Sequence, residues 1–220
     1  MDKDPGLFCS FGRVGFYLES SRKGKIMKIF LVLYFIFFIL FCLVLPTVRV
    51  WRQQKILAIT FKNTDSAHDY IGKLFKVVIL AAGFPALLYL FNEERLPRLI
   101  PLDLPPSVFY LGLIIMAVSL LWVMIAQIQM ANSWRIGIDY EKKTELVHEG
   151  FFNYSRNPIY LGMHGSLLGF FMVLPNVWSL VVFLIAHILM QIQTRLEEEY
   201  LEKMHGASYA DYKNKVRRWL

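Results

Sequence analysis

The stretch YLGMHGSLLGFFMVLPNVWSLVVFLIAHILMQI, residues 160–192, decides the fold. Two unbroken apolar arms flank Pro175-Asn176, a turn-forming pair, so the stretch predicts a helical hairpin. Each arm of about 15 residues spans roughly 23 Å at 1.5 Å per residue, a little less than a hydrocarbon core, so a crossing needs helix continuation or local thinning. Gly162, Gly165 and Gly169 give the first arm a small-residue face for close packing. The second arm meets no breaker before Gly206 and is predicted to run on through Gln193 and the glutamates to Met204. The chain therefore leaves an apolar layer and at once presents Glu197, Glu198 and Glu199. The simpler reading is a solvated helix end with an Arg195–Glu199 pair at i,i+4. The more specific one is a binding site for a cationic ligand at a membrane surface.

The rest of the chain favours a membrane. It has 220 residues, 56% of them hydrophobic, and a mean hydropathy of +0.43. That is too apolar for an ordinary soluble domain, and the length suits one domain. Three further runs are long enough to cross a bilayer: residues 29–48, residues 74–91 with Lys76 able to snorkel and Pro85 expected to kink, and residues 107–128. The expected fold is an all-α integral membrane protein of about five transmembrane helices, the last two a hairpin, with a cytosolic C-terminal cofactor-binding region. Residues 1–26 show no periodicity and precede Met27, a natural start, so they are expected to be a disordered extension. Residues 27–128 hold three transmembrane helices, and residues 129–220 form the functional region. Ser208, with Asp211 at capping-box spacing, is expected to start a last interfacial helix with Tyr209, Tyr212, Val216 and Trp219 on one face.

The net charge of +7 sits on residues flanking the apolar runs, as membrane topology favours, and does not point to nucleic acid. With five crossings, the lysines and arginines of segments 49–73, 129–158 and 195–220 share one side, which places the C-terminus in the cytosol. Cys9 and Cys42 lie far apart and offer neither a zinc spacing nor a disulfide framework, so no metal is expected.

Between the third helix and the hairpin lies ANSWRIGIDYEKKTELVHEGFFNYSRNPIYLGM, a polar, aromatic-rich segment of a length that is unusual without function. Gly150 is a predicted turn, and Pro158 is placed to open the next helix, whose free N–H groups at Asn157–Tyr160 suit a carboxylate. A hairpin brings its ends together, so RNPIY and RLEEE are expected to be neighbours.

TELVHEGFFNYSRNPIYLG, followed by the paired glutamates and then HG, resembles the isoprenylcysteine carboxyl methyltransferase family, which shares its C-terminal half with phospholipid N-methyltransferases. The resemblance covers roughly residues 130–219 and is strongest to bacterial members, implying a multi-pass protein of a bacterial inner membrane. It implies S-adenosylmethionine as cofactor and a lipid-like or prenylated small acceptor. Carried over by position, the cofactor residues are Thr144, Glu145, Leu146, Val147, Phe152, Asn157, Pro158, Ile159, Tyr160, Glu197 and Glu198. Two positions depart from the family pattern: Asn157 replaces a histidine, and Gln193 stands where eukaryotic members place an arginine for the substrate carboxylate. Arg195, two residues on, is the candidate catalytic clamp for an acceptor carboxylate.

The chemistry agrees. A cofactor with a sulfonium, an ammonium and ribose hydroxyls suits Glu197 and Glu198, while Phe152, Tyr154 or Tyr160 could pack on adenine or face the sulfonium. Methyl transfer needs positioning and exclusion of water, so no nucleophilic triad is expected. His164 and His187, one on each arm, are expected to bond across the hairpin. Trp134 and Arg135 read as interface anchors; Asp65, His68 and Asp69 read as a solvated linker. The leading function is an integral-membrane methyltransferase acting on a lipid-like or prenylcysteine-type carboxylate. The alternatives are a phospholipid amine N-methyltransferase and, further off, a sterol reductase or a non-catalytic membrane protein.

Overall fold

A computed structural model describes residues 24–62, 64–91, 100–140 and 144–220. Most of the expected N-terminal extension lies outside these residues, but Gly24 to Ile26, assigned to it, already belong to the first helix. Helix α1 runs Gly24–Gln54, α2 Ala67–Leu90, α3 Pro106–Met130, α4 Pro158–Val173, α5 Val177–His205 and α6 Ala207–Lys215. The described residues contain no strand, only isolated bridges such as Ile59 to Ile136. Four helices, α1, α2, α3 and α5, are long and apolar enough to cross a membrane, and α4 is a shorter apolar helix.

Local sequence explains the details. A π-helical turn, Ile39–Val44, precedes Pro46 in α1. Pro46 has no N–H to give the Cys42 carbonyl, and the Gln127 amide of α3 supplies that bond instead at 2.9 Å. At the hairpin turn, the Asn176 carboxamide oxygen accepts from Ser179 N at 2.9 Å and starts α5 with a capping box. Pro158 occupies the first position of α4, as its fixed φ allows.

The glycine face of α4 packs against α3 rather than against its hairpin partner. A Cβ on Gly169 would lie 2.8 Å from the Gly112 carbonyl oxygen, so the two backbones meet directly. Helix α5 instead packs on α2, where Val182, Ala186, Leu189 and Met190 meet Val78 and Ala82. The hairpin is thus wedged between two earlier helices, and its open end is held in one place.

Several expectations need correction. Helix α6 begins at Ala207 after Gly206 (φ +54) with no side-chain cap, so Ser208 and Asp211 do not form a capping box. Tyr209 and Tyr212 are buried, α6 ends at Lys215, and residues 216–220 fold back over the hairpin instead of lying in an interface. Trp134 is 2% exposed and packs with Val50 and Ala58; it anchors the core, not the membrane surface. His68 and Asp69 are buried as well. His68 Nε2 accepts from Ile138 N at 2.8 Å, Asp69 accepts from Lys62 N at 2.8 Å and Thr64 N at 3.1 Å, and Ser66 caps α2. This cluster ties the start of α2 to residues 136–140, while Asp65 is exposed.

Candidate functional site

The two ends of the hairpin meet as expected. Tyr160, on the first turn of α4, donates its hydroxyl to Glu197 Oε1 of α5 at 2.6 Å, and Gln193 Nε2 donates to the same oxygen at 2.9 Å. Among the described residues no group donates to Glu197 Oε2, which leaves that oxygen for a ligand. Gln193 itself is fully buried, and its Oε1 has no partner among the described residues.

Glu198, one residue on and about 100° around the helix, serves a different purpose. Its carboxylate receives Arg156 at 3.2 Å, Arg218 at 2.8 Å and the Asn157 amide at 3.2 Å. Arg156 spends its remaining donors on the carbonyls of Lys213 and Val216, and its backbone N–H bonds Arg217 O at 2.9 Å. The C-terminal segment is thereby laced to the start of α4. Bonding to Glu198 holds the Arg218 guanidinium above its ordinary pKa, so the pair stays charged. Glu198 was expected beside Glu197 as a cofactor ligand, but it does not line the cavity described next, because two arginines already claim its oxygens.

The third contribution comes from residues 144–152. Ser133 Oγ holds Glu145 O at 3.1 Å, Gln129 Oε1 accepts from Phe151 N at 2.8 Å, and Gly150 turns the chain with φ +63. Tyr212, whose phenol burial pushes up to about 12, donates to Phe152 O at 2.6 Å. Together these segments form a cavity of about 110 Å³ lined by Thr144, Glu145, Leu146, Val147, Phe152, Asn157, Pro158, Ile159, Tyr160 and Glu197, with Met130, Ser133, Arg156, Leu201 and Tyr212 completing the wall. Every residue carried over as a cofactor contact, Glu198 excepted, faces this one space.

Arg195 does not. It is exposed, and its Nη1 bonds back to Gln191 O at 2.6 Å and Gln191 Oε1 at 3.0 Å. Glu199 pairs with Lys203 at 2.6 Å, so the expected Arg195–Glu199 pair does not form. The reason is helical phase: the buried stripe of α5 runs through Met190, Gln193, Thr194 and Glu198, and position 195 falls outside it. Tyr154, 69% exposed, is likewise outside the cavity.

Sequence reasoning missed Arg156, Arg218 and Tyr212. A buried carboxylate demands a nearby cation, so Glu198 could have signalled Arg156; nothing in the pattern signalled Arg218. The two hairpin histidines do bond, His164 Nε2 to His187 Nδ1 at 2.9 Å. His164 Nδ1 lies 2.8 Å from Tyr160 O, a pure acceptor, so Nδ1 carries the proton and Nε2 receives the one from His187. Trp219 of the folded-back tail lies edge-on to His164 at 5.1 Å.

The cavity's walls and the comparison with known proteins coincide. Residues 107–208 match the phospholipid methyltransferase family. The matched span holds α4, nearly all of α5 and the segment that leads into them. A stretch of 72 residues is 39% identical to the protein-S-isoprenylcysteine O-methyltransferase of Saccharomyces cerevisiae, covering 32% of this chain and 30% of the yeast protein. The match therefore spans less than a third of that relative's length. The resemblance to membrane methyltransferases read from the sequence holds in both comparisons, and with four long apolar helices the chain is an integral membrane protein.

Proposed function

We propose that this chain is a membrane methyltransferase that uses S-adenosylmethionine and acts on a lipid-like acceptor. The observation that carries this reading is the convergence of residues 144–152, residues 157–160 and Glu197 on one cavity. Glu197 Oε2 is placed to accept from the cofactor's ammonium or ribose hydroxyls. The first-turn amides of Ile159 and Tyr160, which have no helical carbonyl to bond, suit its carboxylate. Phe152, Leu146, Val147 and Ile159 supply apolar walls that exclude water. The bound cofactor supplies an electrophilic methyl group on a sulfonium.

An apolar crevice where α1 and α2 meet α3, α4 and α5 suits the acceptor's hydrocarbon chain. It reaches Met163 and Met190, one helical turn from Tyr160 and Gln193. The yeast relative's name supports a prenylcysteine-type carboxylate as acceptor. A second reading, a lipid amine, is favoured by Gln193: its enclosed Oε1 lacks a donor, and the arginine expected to clamp a carboxylate points elsewhere. In either case α4 would complete a fifth crossing, and the lysine and arginine distribution supports a cytosolic hairpin mouth and C-terminus.

The test is to incubate membranes containing the protein with methyl-labelled S-adenosylmethionine and then separate prenylcysteine from phospholipid. Label in the first fraction supports the carboxylate, label in the second the amine. No label above that of the Glu197→Gln variant in any lipid fraction contradicts the proposal.

A further inference from the structure

Apart from the cofactor cavity, a crevice of about 160 Å³ opens between α1 and α3, lined by Phe41, Leu45, Pro46, Arg49, Met124, Gln127 and Ile128. Its floor is apolar, and two polar groups stand at one end. Arg49 Nη2 donates to the carbonyls of Gln127 and Ala131, each at 3.1 Å, and so caps the end of α3. The rest of its guanidinium has no acceptor among the described residues: Nε is enclosed and unpaired, and Nη1 makes no hydrogen bond to them. No carboxylate forms an ion pair with Arg49 among the described residues.

A second group tells the same story independently. Gln127 is only 5% exposed, and its amide nitrogen is spent on Cys42 O. Its Oε1 has no donor. A cation without a counter-ion and an acceptor without a donor therefore stand together at the end of an apolar slot. Helix capping explains one edge of the guanidinium and leaves these atoms unaccounted for.

The position defines the ligand further. Arg49 is the first charged residue after the uncharged apolar run 29–48, so it stands where hydrocarbon gives way to head groups. Arg52, one turn further along α1, is exposed. Basic pockets between transmembrane helices at this depth are suited to lipid phosphates.

We propose that the α1–α3 crevice binds an anionic glycerophospholipid, its phosphate on Arg49 and an acyl chain along Phe41, Leu45 and Met124. The site is separate from the cofactor cavity and does not depend on the methyltransferase reading. It touches the same element, however, because Arg49 holds the end of α3 at Ala131, and Met130 and Ser133 on either side line that cavity.

The experiment measures binding of short-chain phosphatidylglycerol, phosphatidylcholine and inorganic phosphate to the delipidated full chain in neutral detergent, by native mass spectrometry with melting temperature as a second readout. Phosphatidylglycerol should bind at least tenfold more tightly than phosphatidylcholine, the range of one charge-assisted contact. Arg49→Gln should abolish that preference. Met124→Trp, which fills the slot and leaves the Arg49 cap untouched, should abolish it too, so the test stands even if Arg49→Gln does not fold. Equal binding of the two lipids, or a preference that survives Met124→Trp, overturns the proposal. Inorganic phosphate displacing the lipid at equal concentration would make this a simple anion site and overturn the lipid assignment.

Discussion

Tyr160 and Glu197 meet across the mouth of the hairpin, phenol to carboxylate, at 2.6 Å. They lie 37 residues apart in sequence and on antiparallel helices, so only a correctly closed hairpin makes the contact. The same bond fixes which carboxylate oxygen remains for a ligand. Glu197 is therefore held in place but not neutralised by a cation, whereas its neighbour Glu198 is.

This difference gives the first prediction. Arg156 and Glu198 are both largely buried, with side chains 9% and 5% exposed, and removing one leaves the other charge without compensation. Glu198→Ala should lower stability by about 3 kcal/mol, in the range for a broken buried pair. Arg218→Ala should cost less, about 1 kcal/mol, because that arginine is 30% exposed. Thermal unfolding in detergent checks both, and equal melting temperatures for wild type and Glu198→Ala would refute the assignment.

A second prediction concerns the tail. Ending the chain after Lys215 removes Arg218 from Glu198, Arg218 O from Asn157 and Trp219 from His164. The truncated protein should insert normally, melt earlier and bind S-adenosylmethionine more weakly, since Asn157 and Arg156 lose their supports. Calorimetry with unchanged affinity would show that the tail does not organise the cavity.

Arg195 gives a third. Among the described residues its exposed guanidinium bonds only Gln191 on its own helix, a contact worth about 0–1 kcal/mol at a surface. Arg195→Lys should leave kcat/KM within about twofold of wild type for any acceptor. A tenfold loss would restore the carboxylate clamp expected from the sequence.

Gln193 should determine acceptor chemistry. Gln193→Arg places a cation where a buried carbonyl oxygen now lacks a donor. Competition between an amine and a carboxylate acceptor on the purified variant should shift toward the carboxylate by about tenfold or more, the worth of one charge-assisted contact. An unchanged ratio would exclude this position from acceptor recognition.

The hairpin and its meeting ends were legible because Pro175-Asn176 is a local turn signal and an antiparallel pair has one way to close. The cavity residues were legible through a family resemblance whose parts keep their order along the chain. The phase of α5 continues from the apolar stripe of Val182, Ala186, Leu189 and Met190, and it separates Arg195 from the site; family spacing alone hid this. The fold of the C-terminal tail was not legible. Tyr209 and Tyr212 have the spacing of an amphipathic helix, and their burial goes with a fold-back of the tail that Arg156 holds through the Lys213 and Val216 carbonyls, which no local pattern encodes. His68 and Asp69 misled for the same reason: polar residues in a linker look solvated until a distant segment, here Ile138, closes over them.

The central claim is that Glu197 is a cofactor ligand rather than a structural residue. Titration of S-adenosylmethionine into the detergent-solubilised protein, wild type against Glu197→Gln, tests it most directly. Glu197→Gln keeps the side chain's size and a partner for Tyr160, so helicity and melting temperature should change little. The affinity should fall by about 10- to 150-fold, the worth of one charge-assisted hydrogen bond of roughly 1.5–3 kcal/mol. Equal affinity in wild type and variant, at equal folding, would contradict the account.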